Sequence, residues 1–364
     1  MKLGIVGLPN AGKSTLYNAI MHTGAEASNY PFSTTTPNVG QVPVPDDRLI
    51  ELEKMYNPKK VTPAMVEMVD IAGLIRGASK GEGLGNQFLS YIREVDAIIH
   101  VVRCFEDENV SNIYETVDPV RDIETVNLEL VLSDLEMLER KLDKLSKAAR
   151  TDKSLRWQED ILVKIKETLE EGHGAKTITW ETAEEQKFVE SLTLITQKPM
   201  LIAANISEWD IKDPSQNPSI VALEEYVLNE NTRLFISCAK IEAEISDLDP
   251  EEKDMFMDEL GLSENGLARL ITAGYDLLGL ISFFTTGPKE VRAWTVRRNT
   301  KAPAAAGKIH SDLERGFIRA EVVSYDDLMA AGTYTSAKEK GVVRVEGKEY
   351  VVLDGDVVLV RFNV

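Results

Sequence analysis

Eight residues near the start of the chain, Gly7-Leu8-Pro9-Asn10-Ala11-Gly12-Lys13-Ser14, have the types and spacing to hold a polyphosphate. The two outer glycines allow the backbone to curl until its N–H groups converge on phosphate oxygens. Lys13 would reach the β- and γ-phosphates, and the Ser14 hydroxyl would ligate Mg²⁺. The helix that starts after Gly12 turns its positive end to the same anion. Asn10, Ala11, Gly12, Lys13, Ser14 and Thr15 are therefore the expected phosphate-loop contacts. The bland reading is a chance turn between a strand and a helix. Against it, an apolar run (residues 3–6) and a helical pattern (residues 15–21) flank the loop in the order the chemistry requires.

Two further stretches could complete such a site. Residues 23–42 read as a long loop containing Tyr30-Pro31-Phe32-Ser33-Thr34-Thr35-Thr36-Pro37, where two prolines and a run of hydroxyls exclude a helix. Thr34 is the expected switch threonine, completing the Mg²⁺ shell and sensing the γ-phosphate; otherwise the threonines merely decorate a turn. Residues 64–69 read as a buried strand ending at Asp70, followed by Ile71-Ala72-Gly73. Asp70 would hold Mg²⁺ through water, and the Gly73 N–H would meet the γ-phosphate. Lys13, Gly73 and Thr34 are thus the expected catalytic residues. His100 lies mid-strand among apolar neighbours and reads as a core histidine rather than a base.

Base selection would fall to the ends of two later strands, residues 200–204 and 234–236. They lead into Asn205-Ile206-Ser207-Glu208 and Ser237-Cys238-Ala239-Lys240. GTPases read guanine at these places through Asn-Lys-x-Asp and Ser-Ala-Lys, the aspartate accepting from N1–H and the 2-amino group. Adenine lacks both donors, so such a carboxylate would face an acceptor. Here Ile206 replaces the lysine, and Glu208, one methylene longer, replaces the aspartate. The guanine reader is damaged and the tilt is towards adenine. Asn205, Ile206, Glu208, Ser237, Cys238 and Ala239 are the expected base-side contacts.

The elements that must position these groups form an α/β domain with a mostly parallel sheet, in residues 1–121 and 198–277. Residues 122–197 interrupt it with long charged helices. Val131, Leu135, Leu138, Leu142, Leu145 and Ala149 recur at heptad spacing there, and a second helix carries Leu155, Leu162, Ile165 and Leu169. An antiparallel hairpin packed on itself accounts for these leucines, and a partner-binding arm is the sharper alternative. Residues 278–364 read as a separate α+β domain, with strands expected at 291–296, 316–323, 342–345, 349–352 and 357–362.

At 364 residues the chain is long enough for two or three domains, and its net charge of −19 argues against coating nucleic acid with the whole surface. The charge is unevenly spread: residues 279–364 carry 13 Lys+Arg against 11 Asp+Glu, leaving 28 against 49 in residues 1–278. Lys289, Arg292, Arg297, Arg298 and Lys301 cluster around Trp294, either as an RNA-facing stripe or as a solvated edge strand. Cys104 and Cys238 are the only cysteines, so no disulfide framework is expected. Without a signal-like opening or an apolar run of spanning length, the expected setting is cytoplasmic.

The combination of Gly7 to Ser14, Asn29-Tyr30-Pro31-Phe32, Asp70-Ile71-Ala72-Gly73-Leu74 and Gly81-Glu82-Gly83-Leu84-Gly85-Asn86-Gln87-Phe88 resembles the YchF (EngD) type of Obg-like ATPases. The tail from Lys289-Glu290-Val291-Arg292-Ala293-Trp294 through Gly316 to Glu321 and Asp354-Gly355-Asp356 is similar to that family's TGS domain. The resemblance runs nearly end to end. It implies an Obg-type G domain of P-loop NTPase fold, an inserted helical coiled-coil hairpin and a β-grasp-like TGS domain. It also implies ATP bound with Mg²⁺ in preference to GTP and hydrolysed slowly, with binding to the ribosome, on its large subunit, and to RNA. A monomer is expected, with neither DNA nor membrane as partner. The family's Asn-x-x-Glu corresponds to Asn205 and Glu208, and Asn10 resembles a potassium ligand, adding K⁺ to Mg²⁺ as an expected ion.

Three positions depart from related patterns. Leu74 stands where Ras-like GTPases carry a water-orienting glutamine, Asn112 where relatives often have a histidine, and Thr35-Thr36 where they usually have Ile-Glu. Asparagine cannot shuttle a proton near neutral pH, so no role of that histidine carries over to Asn112. The rival readings are an Obg-like GTPase with guanine preference, or an RNA-binding scaffold whose nucleotide site is mainly structural.

Overall fold

The structure, a computed structural model, describes residues 1–22, 26–27, 37–71, 84–111, 114, 116–262 and 264–363. Thr34, Thr35, Thr36, Gly73, Leu74 and Asn112 lie outside the described residues. Among those described, the strands in chain order are β1 (Lys2–Val6), β2 (Glu26–Ala27), β3 (Asn38–Pro43), β4 (Val61–Thr62), β5 (Met65–Asp70), β6 (Ala97–Cys104), β7 (Met200–Ile206), β8 (Arg233–Ser237), β9 (Leu280–Thr285), β10 (Val291–Arg297), β11 (Phe317–Ser324), β12 (Arg344–Glu346) and β13 (Asp356–Phe362).

The first unit comprises Met1–Gln41 and Glu67–Leu267. Its seven-stranded sheet has the order β2-β3-β5-β1-β6-β7-β8. β1 pairs in parallel with both β5 and β6, and β7 and β8 continue in parallel beyond β6. Strands buried on both faces read as unbroken apolar runs, and all eight residues of β6 are buried. Chain order reverses at β1, so the carboxyl ends of β1, β5 and β6 lie side by side, where ligands of such sheets bind. The loop expected over residues 23–42 in fact contains β2 and β3, which pair antiparallel, Glu26 with Gln41.

The helical insertion belongs to this unit. Its helices Pro119–Ala149 and Arg156–Glu170 bury Val131, Leu138, Ile161, Leu162, Ile165 and Leu169 in one cluster, joined by Val189 of the helix Ala183–Ser191. The heptad leucines are consumed by the hairpin. The long helix begins at Pro119, earlier than the 122 expected, because Asp118 caps it by accepting from the Arg121 N–H and Pro119 fits its first turn. Arg93 fastens the insertion to the preceding helix Leu84–Glu94: it donates to Asp134 Oδ1 at 2.8 Å, to Ser133 Oγ at 2.9 Å and to the Thr193 carbonyl at 3.3 Å.

The second unit is Val42–Val66 together with Ala268–Val364. This corrects the domain boundaries expected from sequence, which placed residues 42–66 with the nucleotide domain. Those residues are built into the second sheet, of order β12-β11-β13-β9-β10-β4. β4 pairs in parallel with β10, Thr62 Oγ1 donates to Glu290 Oε1 at 2.6 Å, and Arg48 bridges Asp46 and Asp354, each at 2.8 Å. A β9-β10 hairpin, the helix Ala302–Ile309, and β13 set parallel beside β9 make the β-grasp arrangement. The strand expected at 349–352 is absent: Val351 forms an isolated bridge to Lys301, and Tyr350 closes a turn onto the Gly347 carbonyl.

Candidate nucleotide site

The loop between β1 and the helix Lys13–His22 takes its shape from three residues in left-handed backbone regions, Gly7 at φ 152°, Asn10 at φ 64° and Gly12 at φ 96°. A Cβ on Gly7 would stand 2.3 Å from the Val101 carbonyl oxygen, and one on Gly12 would stand 2.2 Å from Asn205 Nδ2. Both glycines are thus required by close approach as well as by dihedral angle.

Lys13 is 6% exposed and its ammonium donates to the Leu8 carbonyl at 2.8 Å. Burial pulls its pKa down to about 8, with the nearby Asp70 carboxylate pulling the other way. Asp70, at the end of β5, receives the Ser14 hydroxyl on Oδ2 at 3.4 Å, while its buried Oδ1 has no hydrogen-bond partner among the described residues. Burial raises the Asp70 pKa, opposed by Lys13 and Ser14. The structure thus brings Lys13, Ser14 and Asp70 together. His100 is 1% exposed beside them, and burial drives its pKa down to about 3, so it stays neutral, as a core histidine should.

Beyond the loop lies a pocket of about 370 Å³, lined among others by Asn10, Gly12, Thr15, Phe105, Glu208 and Cys238. Asn205 reaches into the seam between the loops rather than into open space. Its Nδ2 donates to the Ala11 carbonyl and its Oδ1 accepts the Ala239 N–H, each at 2.9 Å. Ile206 lines the pocket but is 3% exposed and packs into the core with Val102, Ile202 and Ile220. Cys238 is buried, with burial raising its thiol pKa. Ser237 ends β8, pairing with Asn205. Glu208 opens the turn Glu208–Asp210, which Ser207 and Asn217 hold by donating to Asp210 Oδ2 at 2.7 and 2.9 Å.

Several contacts at the site escaped the sequence reading. Lys240 forms an ion pair with Glu208 at the pocket, and Trp209 beside it is 85% exposed. Asn10 donates from Nδ2 to the Ser111 carbonyl at 3.0 Å and to Ser111 Oγ at 2.9 Å. Arg103 supports that loop through the carbonyls of Phe105, Val110 and Ser111 at 3.0, 3.2 and 3.2 Å, its guanidinium lying over the Phe105 ring. An arginine near the end of a strand that is apolar apart from His100 was the available signal.

The basic cluster near Trp294 is largely committed to protein partners. Arg292 stacks on Trp294 at 3.9 Å, Arg298 pairs with Asp276 at 2.6 Å, and Lys301 pairs with Glu349. Among the described residues no group of three or more His, Cys, Asp or Glu side chains could hold a metal, and no helix is long and apolar enough to cross a membrane.

Residues 2–136 match a family model described as a 50S ribosome-binding GTPase, and residues 280–363 match the YchF-type GTPase C-terminal model, described as a protein of unknown function (DUF933). The chain is 56% identical over 362 residues to the ribosome-binding ATPase YchF of Bacillus subtilis (strain 168), covering 99% of each protein. It is 48% identical over 364 residues to the protein of that name from Haemophilus influenzae, covering 100% of this chain and 99% of the relative. The solved structure of the Schizosaccharomyces pombe YchF GTPase superposes with a TM-score of 0.88 at 36% identity, covering 99% of this chain and 97% of that one.

Proposed function

Because this chain belongs to the YchF family, related to its members from end to end, we propose that it is a P-loop nucleoside triphosphatase that hydrolyses ATP to ADP and phosphate and binds the ribosome as a translation-linked switch. The observation that carries the reading is the convergence of Lys13, Ser14 and Asp70 at the end of β1, with Asp70 Oδ1 buried and unpartnered among the described residues. An orphaned carboxylate oxygen beside a hydroxyl is a sparse, hard-oxygen donor set, which suits Mg²⁺ when phosphates and waters supply the remaining ligands. Ser14 would ligate the ion directly, Asp70 through water, and Thr34 would join them from outside the described residues. Bound there, Mg²⁺ would neutralise charge on the β- and γ-phosphates.

The residues of the chain perform the rest. The Lys13 ammonium exchanges the Leu8 carbonyl for phosphate oxygens, and the N–H groups of residues 10–15 surround the anion. The Gly73 N–H is assigned to the γ-phosphate. Leu74 offers no group to orient the attacking water, so basal turnover is slow and partner-stimulated. Asn10 positions its side chain through Ser111, leaving Oδ1 as the atom that would ligate K⁺. Equal hydrolysis rates in K⁺ and Na⁺ buffers would remove the potassium role.

On the base side, Asn205 shapes the pocket through Ala11 and Ala239, while Glu208 and the backbone of residues 237–239 face the purine. ATP is the preferred nucleotide and GTP the weaker one. The bacterial relatives are called ATPases and the fission-yeast relative a GTPase, so the base is the point to measure. The large ribosomal subunit is the proposed docking partner, supported by the description of the family matching residues 2–136, with ribosomal RNA within its contact surface and the chain acting as a monomer in the cytoplasm. The test is hydrolysis and ribosome co-sedimentation by the wild-type chain and by Lys13→Ala. Loss of turnover and of nucleotide-dependent sedimentation in the variant is expected. Sedimentation indifferent to both nucleotide and Lys13 would favour the RNA-binding scaffold instead.

A further inference from the structure

Glu208 and Lys240 reach the pocket from different strand ends. Glu208 opens the turn after β7, and Lys240 lies in the first turn of the helix Ala239–Asp247, which follows β8. The Lys240 ammonium donates to Glu208 Oε2, with the two side chains 65% and 31% exposed. A carboxylate that reads guanine gives one oxygen to N1–H and the other to the 2-amino group, so both oxygens must be available. In this chain the Lys240 ammonium already draws on one of the two, so a guanine donor must compete with a charged donor for it. Adenine presents no donor at either place and loses nothing by that engagement.

We propose that Lys240 is a specificity-determining residue: by drawing Glu208 Oε2 to its ammonium it competes with guanine for the two-oxygen acceptor that guanine requires, and so turns the pocket towards adenine. The proposal rests on the reading of this pocket as the base site of an ATP-preferring enzyme. The extra methylene of Glu208 relative to aspartate is part of the device, since it lengthens the arm that meets Lys240. The pair is exposed enough to exchange partners, so the effect is a bias in affinity rather than an absolute block.

The test is titration of the full chain with Mg-ATP and Mg-GTP, followed calorimetrically and by the fluorescence of Trp209, which lines the same pocket. In Lys240→Met, which keeps the apolar stem and removes the charge, the preference for ATP over GTP should fall about tenfold, chiefly through tighter GTP binding. Lys240→Arg retains a cation and should keep the wild-type ratio. Adding Glu208→Gln to Lys240→Met should abolish the gain in GTP affinity. A Lys240→Met protein of wild-type thermal stability whose ATP-to-GTP ratio stays within about twofold of wild type would overturn the proposal, as would an equal shift in Lys240→Arg. If Lys240→Met fails to fold, Glu208→Asp, which shortens the arm, should shift the ratio in the same direction, and an unchanged ratio there overturns it. The wild-type ratio alone judges the ATP reading, whereas the change on substitution judges Lys240.

Discussion

The side-chain amide of Asn205 donates to the carbonyl of Ala11 at 2.9 Å across 194 residues of sequence, and its oxygen accepts the N–H of Ala239. One buried amide thus sets the spacing between the phosphate loop and the loop that follows β8. The absence of a side chain at Gly12 makes this possible, since a Cβ there would collide with the same amide nitrogen.

Asn205→Ala should therefore damage both loops at once. It leaves the Ala11 carbonyl and the Ala239 N–H unpaired in a buried place, at a cost of about 1–3 kcal/mol each. A lower denaturation midpoint and at least about tenfold weaker nucleotide binding are expected, read by chemical denaturation and calorimetry. Unchanged affinity would show that the two loops keep their spacing without it.

Lys13 gives the site a pH dependence. Its ammonium, at a pKa of about 8 in the free protein, is charged below that pH and neutral above it. Phosphates favour the charged form, so binding raises the pKa and takes up a proton when the pH lies near or above 8. ATP affinity should weaken as pH rises through about 8, by up to about tenfold per unit, with proton uptake seen calorimetrically in buffers of different ionisation enthalpy. Flat affinity between pH 7 and 9 would contradict this reading of the lysine.

Asp134 is fully buried and accepts from Arg93, from the N–H groups of Ile195 and Thr196, and from Thr196 Oγ1. Removing one partner of a buried pair costs about 3–5 kcal/mol. Arg93→Ala should approach that loss because the carboxylate left behind has no exposure. Asp134→Ala should cost somewhat less on the charge side, since Arg93 is 22% exposed and water relieves it. Thermal unfolding of the two variants decides the order.

Residues 42–66 should depend on the C-terminal sheet for their structure. Arg48 pairs with Asp354, 306 residues away in sequence, and lies over the Phe284 ring at 5.3 Å. A fragment ending at residue 277 lacks both partners and β10 as well. Limited proteolysis should cut it within residues 42–66, where the full chain resists. Equal resistance would mean that this segment folds with the first unit alone.

Much of the site could be read from sequence because its chemistry is local. Gly7 to Ser14, Asp70 at a strand end and the two base-side loops each carry their signal within a few residues. What escaped depends on distant partners. The attachment of residues 42–66 to the second sheet has no local mark, because Asp354 and Glu290 supply its partners from more than two hundred positions away. β9, with Phe283 and Phe284 fully buried, directly follows the helix Gly266–Leu277, and a short apolar run there carries no period that separates strand from helix. The Asn205 motif is legible in the sequence, but only coordinates reveal that the backbone consumes its amide. The Glu208–Lys240 pair was invisible for the same reason, although both residues stood in recognised motifs.

A pocket that prefers adenine binds ATP more tightly than GTP. Calorimetric titration of the wild-type chain with Mg-ATP and with Mg-GTP, in matched buffers, measures it directly. Tighter binding of ATP is expected. Tighter binding of GTP would contradict it and return the chain to the GTPase reading.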